Sequence, residues 1–254
     1  MYRGEEKIDE APIFIEQLRQ AGQEFVFVTN NSTKTPEMVV EHLASFGINV
    51  QKEHIYTSAM ITARYLTQQT KAPDVYMIGE EALRTALENA GCRLVEDEEK
   101  LSLCDYVVMG LDRQLTYEKL AKAVIAVRQG AQLIATNSDQ ALPTEKGLLP
   151  GNGSFVSVVS ETARCRPLFI GKPEPLMLEV ILKEKGLAKN EVIIVGDNYD
   201  TDILAGIRAG VDSAIVLTGY TSIEELAQKK VQPTYVWNTL LDWQHQSSSS
   251  SILS

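Results

Sequence analysis

Val192-Ile193-Ile194-Val195-Gly196-Asp197-Asn198-Tyr199-Asp200-Thr201-Asp202 runs four apolar residues into a glycine and then into an acid-rich segment. An apolar run without alternation is the pattern of a parallel strand buried on both faces. The stretch predicts a strand over Val192–Val195, a sharp turn at Gly196 and a helix over Thr201–Ala209. The same grammar recurs on either side. Leu168-Phe169-Ile170 leads into Gly171-Lys172-Pro173 and a helix over Pro175–Lys185. Phe25–Val28 leads into Thr29-Asn30-Asn31 and a helix opened by Thr35-Pro36 and closed by Gly47.

Further out, strands are predicted over Val75–Ile78, Tyr106–Leu111, Leu133–Ala135 and Ala214–Leu217. Helices are predicted over Asp9–Ala21, Glu81–Ala90, Thr116–Arg128 and Phe155–Thr162, with Leu148–Gly153 a loop. Strands alternating with helices predict an α/β fold with a doubly wound parallel sheet covered on both faces. Residues 72–166 carry their own strands and helices and read as an inserted α/β domain. The core is then 1–71 and 167–243. The tail 244–254, with its run Ser247–Ser251, is expected to be disordered.

In such folds chemistry sits at the carboxyl ends of strands. Asp197 at a strand end and Asp202 near a helix start offer oxygen ligands to a hard cation, or only cap the helix. Thr29, Asn30 and Asn31 offer a hydroxyl, amides and backbone N–H groups to a phosphate, or form an ordinary turn. Lys172, pinned between glycine and proline, offers a point charge, or is a solvated lysine. Together the three strand ends converge on phosphate chemistry.

The net charge of −10 sets a nucleic acid aside as a general partner. The chain has 44% apolar and 23% charged residues, ordinary for a globular protein. Cys92, Cys104 and Cys165 have no metal or redox spacing and read as thiols in a reducing compartment. No opening signal peptide and no apolar run near the roughly 20 residues of a membrane span are seen. The expectation is a cytoplasmic protein that does not engage membrane.

With these residues in place the chain resembles the haloacid dehalogenase (HAD) phosphatases. Thr29 matches their second motif, Lys172 the third, and Asp197 with Asp202 the fourth, GDxxxxD. Met1-Tyr2-Arg3-Gly4, Thr29–Ser32, Thr136–Asp139, Leu148–Ser154 and Gly171–Glu174 resemble the NagD (p-nitrophenyl phosphatase) branch in particular. The resemblance implies a magnesium-dependent phosphatase of small phosphorylated metabolites, such as sugar or nucleotide phosphates. Thr29 would bond the transferring phosphoryl with the Asn30 backbone beside it, and Lys172 would offset its charge. Asp197 and Asp202 would hold Mg2+. The 72–166 domain would be the cap that selects substrate. Asn31, Asn137, Asp139, Gly151 and Gly153 are further substrate-binding candidates, the glycines equally reading as a plain loop. A homo-oligomer is left open.

The family's first motif, DxDGT, supplies nucleophile and general acid. The Asp-x-Asp of this chain, Asp200-Thr201-Asp202, lies inside the fourth motif and is followed by Ile203. The expectation is a chain that begins just after the first motif, through a misassigned start or a truncation, and is inactive as it stands. The missing strand would lie between Phe25–Val28 and Val192–Val195. The alternative is a catalytically dead HAD-like fragment with a binding or regulatory role. A dinucleotide-binding module is set aside, since no GxGxxG follows a strand.

Overall fold

The structure, a computed structural model, describes residues 2–3, 6–144 and 147–245. Part of the Met1–Gly4 segment and the Ser247–Ser251 run lie outside these residues. The chain divides into two compact units. One holds the described residues up to Val26, Val40–His54 and those from Pro173 onward. The other holds Phe27–Val39 and Ile55–Lys172.

The second unit is built on a five-stranded parallel sheet. Its order is Leu168–Phe169, Gln132–Ala135, Tyr106–Met109, Asp74–Ile78, Arg93–Leu94. Tyr106–Met109 is central and buried at every position, as its unbroken apolar run requires. Val107, Met109, Leu133, Val156 and Val159 share one core with Tyr76 and Leu101. Phe27–Thr29 pairs in parallel with Ile55–Thr57 in a separate two-stranded sheet. Leu168–Phe169 is the edge strand of the five-stranded sheet, and the pairing continues beyond it: Ile170 N–H donates to Ala135 O and Gly171 N–H to Thr136 O, each at 2.9 Å.

The first unit carries a parallel sheet in the order Ile193–Gly196, Asp212–Val216, Tyr235–Trp237. Ile193–Gly196 has a described ladder on one side only. Its residues are half-buried to exposed, whereas Ser213–Val216 are buried. One core cluster joins Leu178 and Leu182 of the helix Leu176–Lys185 to Ala205 and Ala209. Among the described residues no helix is long and apolar enough to cross a membrane.

Three local readings change. The helix expected at Phe155 starts at Asn152 and runs to Ala163. Asparagine and two glycines are weak helix formers, so tertiary hydrogen bonds make this start. Asn152 Nδ2 donates to Met109 O and Asn137 O, both at 3.1 Å. Gly151 N–H and Gly153 N–H donate to Gln140 O and Asp139 O, both at 2.9 Å. The supposed loop Leu148–Pro150 is half of an antiparallel hairpin, paired with Ala141–Thr144. The helix expected from Thr201 opens earlier, as a π-helical turn over Tyr199–Ile203 that continues into Leu204–Ala209.

Two outcomes follow from this packing. A Cβ at Gly153 would lie 2.3 Å from Ser138 O, which is backbone and cannot step aside. Gly153→Ala should therefore lose about 1–3 kcal/mol of stability, seen as a lower urea midpoint at unchanged slope. The second outcome concerns acid. Arg113 grips Glu80 bidentately, Nε–Oε1 and Nη2–Oε2 both 2.7 Å. This hydrogen bonding outweighs burial and holds the Glu80 carboxyl below its usual range. A folded pKa below the unfolded one gives stability that is present above the ordinary carboxylate range and lost as pH falls through it. Urea titrations should show the gap between wild type and Glu80→Gln shrinking from about pH 5 towards about pH 3.

Candidate active site

The strand Phe27–Thr29 ends with Thr29 registered opposite Thr57. Thr29 Oγ1 accepts from Asn31 N–H at 3.2 Å, which leaves its hydroxyl hydrogen for another acceptor. Asn31 Oδ1 accepts from the N–H groups of Thr33 and Lys34, both at 2.8 Å. That oxygen builds the turn, and the Asn31 amide N–H groups are what it has left to offer.

Lys172 follows the edge strand Leu168–Phe169, and its Nζ donates to Val28 O at 2.9 Å. The ammonium thus stands one residue from Thr29. The structure brings together the hydroxyl and the cation that the sequence separates by more than half the chain. Asn30 lies between them: its Nδ2 donates to Lys172 O at 2.7 Å. Its carbonyl accepts from Asn137 Nδ2 at 2.9 Å and from Ser58 Oγ at 2.7 Å.

Asn137 is buried, and its Oδ1 accepts from Asp139 N–H at 3.3 Å. Asp139 Oδ1 is 3.5 Å from Asn30 Nδ2. Gly151 and Gly153 are buried beneath this loop. A Cβ on Gly151 would fall 2.2 Å from Asp139 O, so the absent side chain is accounted for by backbone approach. Ser58, fully buried, carries no local signal in the sequence. It opens the helix Ser58–Gln69 after a three-residue strand too short to show a period.

The acidic motif belongs to the other unit. Asp197 is exposed at the end of Ile193–Gly196. Tyr220 N–H donates to its Oδ2 and Thr221 N–H to its carbonyl, both at 3.0 Å. Thr221 Oγ1 in turn accepts from Tyr199 N–H at 2.9 Å. The backbone 219–221 wraps Asp197 so closely that a Cβ at Gly219 would lie 2.0 Å from Asp197 Cβ. Asp202 is buried, its Oδ2 accepting from Asn198 N–H at 3.3 Å. Asp200 turns to Lys229 at 2.7 Å, whose ammonium also sits 4.8 Å from the Tyr199 ring centre.

Among the described residues no group of three or more His, Cys, Asp or Glu gathers as a metal cage. Two carboxylates nevertheless suit magnesium, which binds one or two of them and keeps several waters. The tight backbone cradle around Asp197 fits such a role, since it orients the carboxylate without neutralising it. The cysteines offer no replacement nucleophile. Burial pushes the Cys92 thiol up to about 11 and holds Cys104 and Cys165 above the usual value.

A family model described as haloacid dehalogenase-like hydrolase matches residues 1–93, and a HAD-hydrolase-like model matches 169–243. 5'-Nucleotidase YutF of Bacillus subtilis (strain 168) is 44% identical over 243 residues, covering 96% of this chain and 93% of its own. Acid sugar phosphatase of Staphylococcus aureus (strain USA300) is 48% identical over 240 residues, covering 94% and 91%. The crystal structure of a double-mutant thermostable NPPase from Geobacillus stearothermophilus matches with a TM-score of 0.87 at 50% identity, over 93% of this chain and 92% of that one. Sequence and fold agree over nearly the whole length, and the chain belongs to the haloacid dehalogenase-like hydrolases, within their NagD-like phosphatases.

Proposed function

We propose that the chain is built for hydrolysis of small phosphate monoesters, sugar or nucleotide phosphates, with magnesium. The observation that carries this reading is Lys172 Nζ donating to Val28 O, which seats a cation beside the Thr29 hydroxyl. Thr29 Oγ–H and the Asn30 N–H would donate to phosphoryl oxygens, and Lys172 would offset charge that grows in the transition state. Asn31, Asn137 and Asp139 would meet the leaving group, with Gly151 and Gly153 as the seat of their loop. Mg2+ held by Asp197 and Asp202 would act as a Lewis acid on the phosphoryl group. Residues 72–166 would serve as the substrate-selecting cap. The substrate class is supported by relatives named for nucleotide and sugar phosphates. Unpaired Cys92, Cys104 and Cys165 support a cytoplasmic setting.

The 254 residues alone hold no Asp-x-Asp-Gly, and both acids of the Asp-x-Asp they do hold are engaged elsewhere. Phosphoryl transfer needs a nucleophile in line with a clamped phosphate. We therefore read these residues by themselves as catalytically silent.

Purified 1–254 should release no p-nitrophenol from p-nitrophenyl phosphate in magnesium. Turnover that Asp197→Asn abolishes would refute the silent reading. Joining a segment that ends in Asp-x-Asp-Gly-Thr ahead of Met1 should give activity. In that protein, Lys172→Ala and Asp197→Asn should each lower kcat by about 100-fold or more. Cys165→Ser, at a half-buried thiol, should stay within about twofold of the parent, as substitutions away from the chemistry do. Near-parental kcat in either charge variant would remove the site assignment.

A further inference from the structure

We propose that the Asn30 side chain is a positioning residue for Lys172, made possible by the missing side chain of Gly171, and that it does not itself bind phosphate. The inference rests on the phosphatase reading only for what Lys172 does.

A primary amide has two hydrogens to donate. In Asn30 one goes to Lys172 O at 2.7 Å, and the other points to Asp139 Oδ1 at 3.5 Å. Nothing is left on this nitrogen for a substrate. The amide oxygen is buried and accepts no hydrogen bond. It lies over Gly171, where a Cβ would fall 2.6 Å from Asn30 Oδ1 and 3.1 Å from Asn30 Cγ. An unsatisfied buried oxygen is unfavourable. The opposite amide orientation would set this oxygen against Lys172 O, one acceptor facing another, and forfeit the bond. The main chain of Asn30 is pinned as well, its carbonyl taking both Asn137 Nδ2 and Ser58 Oγ.

Lys172 is thereby held at both ends: its peptide by the Asn30 amide, its ammonium by Val28 O. A lysine stem, with four rotatable bonds, has much rotamer entropy to lose. Fixing the backbone from which it springs leaves less of that loss to the moment of binding. Gly171 belongs to the same device, because any side chain there would push the amide off Lys172 O.

Competitive acetylation of the folded 254-residue protein, read by peptide mass spectrometry without phosphate or metal, tests this directly. Lys71 and Lys183, both exposed, serve as internal references. Lys172 should react slowly in wild type. Asn30→Leu keeps roughly the shape and removes the donor facing Lys172 O without adding a charge. It should speed Lys172 labelling by about fivefold, the factor one net hydrogen bond is worth. Gly171→Ala should do the same. The double variant should be no faster than either single, since both act through one contact. Wild-type labelling of Lys172 in Asn30→Leu, with an unchanged urea midpoint, overturns the proposal. So does an additive double variant. If Gly171→Ala does not fold, Asn30→Leu decides alone. Slowing of Lys172 labelling by inorganic phosphate in wild type reports separately on the phosphatase reading, so failure of one is not mistaken for failure of the other.

Discussion

The carbonyl of Asn30 takes hydrogen bonds from Ser58 Oγ and Asn137 Nδ2, and its amide reaches Lys172 O. Three chain segments thus end on one residue. Without that junction Thr29 would sit on a frayed strand end, because its sheet has only two short strands. Asn152 extends the junction inward. Its amide bridges Met109 O and Asn137 O, so the start of one helix also ties together the ends of two central strands. The polar residues at this strand end are therefore tied, through Asn152, to strands that share the Val107–Leu133–Val156 core.

The acidic motif of the other unit is arranged differently. Three aspartates lie within six positions, and their surroundings separate them. Asp200 is spent on Lys229. Asp202 is buried against Asn198 N–H. Asp197 is exposed, with its carboxylate cradled by backbone. The π-helical turn over Tyr199–Ile203 contributes, since one wider turn changes which acid faces inward. Such turns are common at functional positions, and here the turn begins right after the Asn198 cap.

What the sequence disclosed follows from range. Apolar runs such as Ile193–Val195 and Tyr106–Met109 are local patterns, so the parallel strands and the polar residues beyond them were legible. Thr29, Lys172 and Asp197 sat where strand-end logic put them. The helix start at Asn152 was not legible, because its stability comes from Met109 and Gln140, remote in sequence or held there only by the fold. Ser58 was hidden by the brevity of Ile55–Thr57. The Tyr220 amide that orients Asp197 lies 23 positions away and donates from backbone, which no residue type announces.

Many of the contacts that hold these strand ends have a main-chain carbonyl as acceptor: Val28 O, Lys172 O, Asn30 O, Met109 O and Asn137 O. A carbonyl is the same whatever side chain its residue carries. Genetic drift at position 28 or 109 is consequently answerable to the core alone and blind to the site. The burden of keeping the geometry falls on a few donors, Asn30, Ser58, Asn137, Asn152 and Lys172. A lineage of such proteins has wide freedom to repack its interior while its strand ends stay in place.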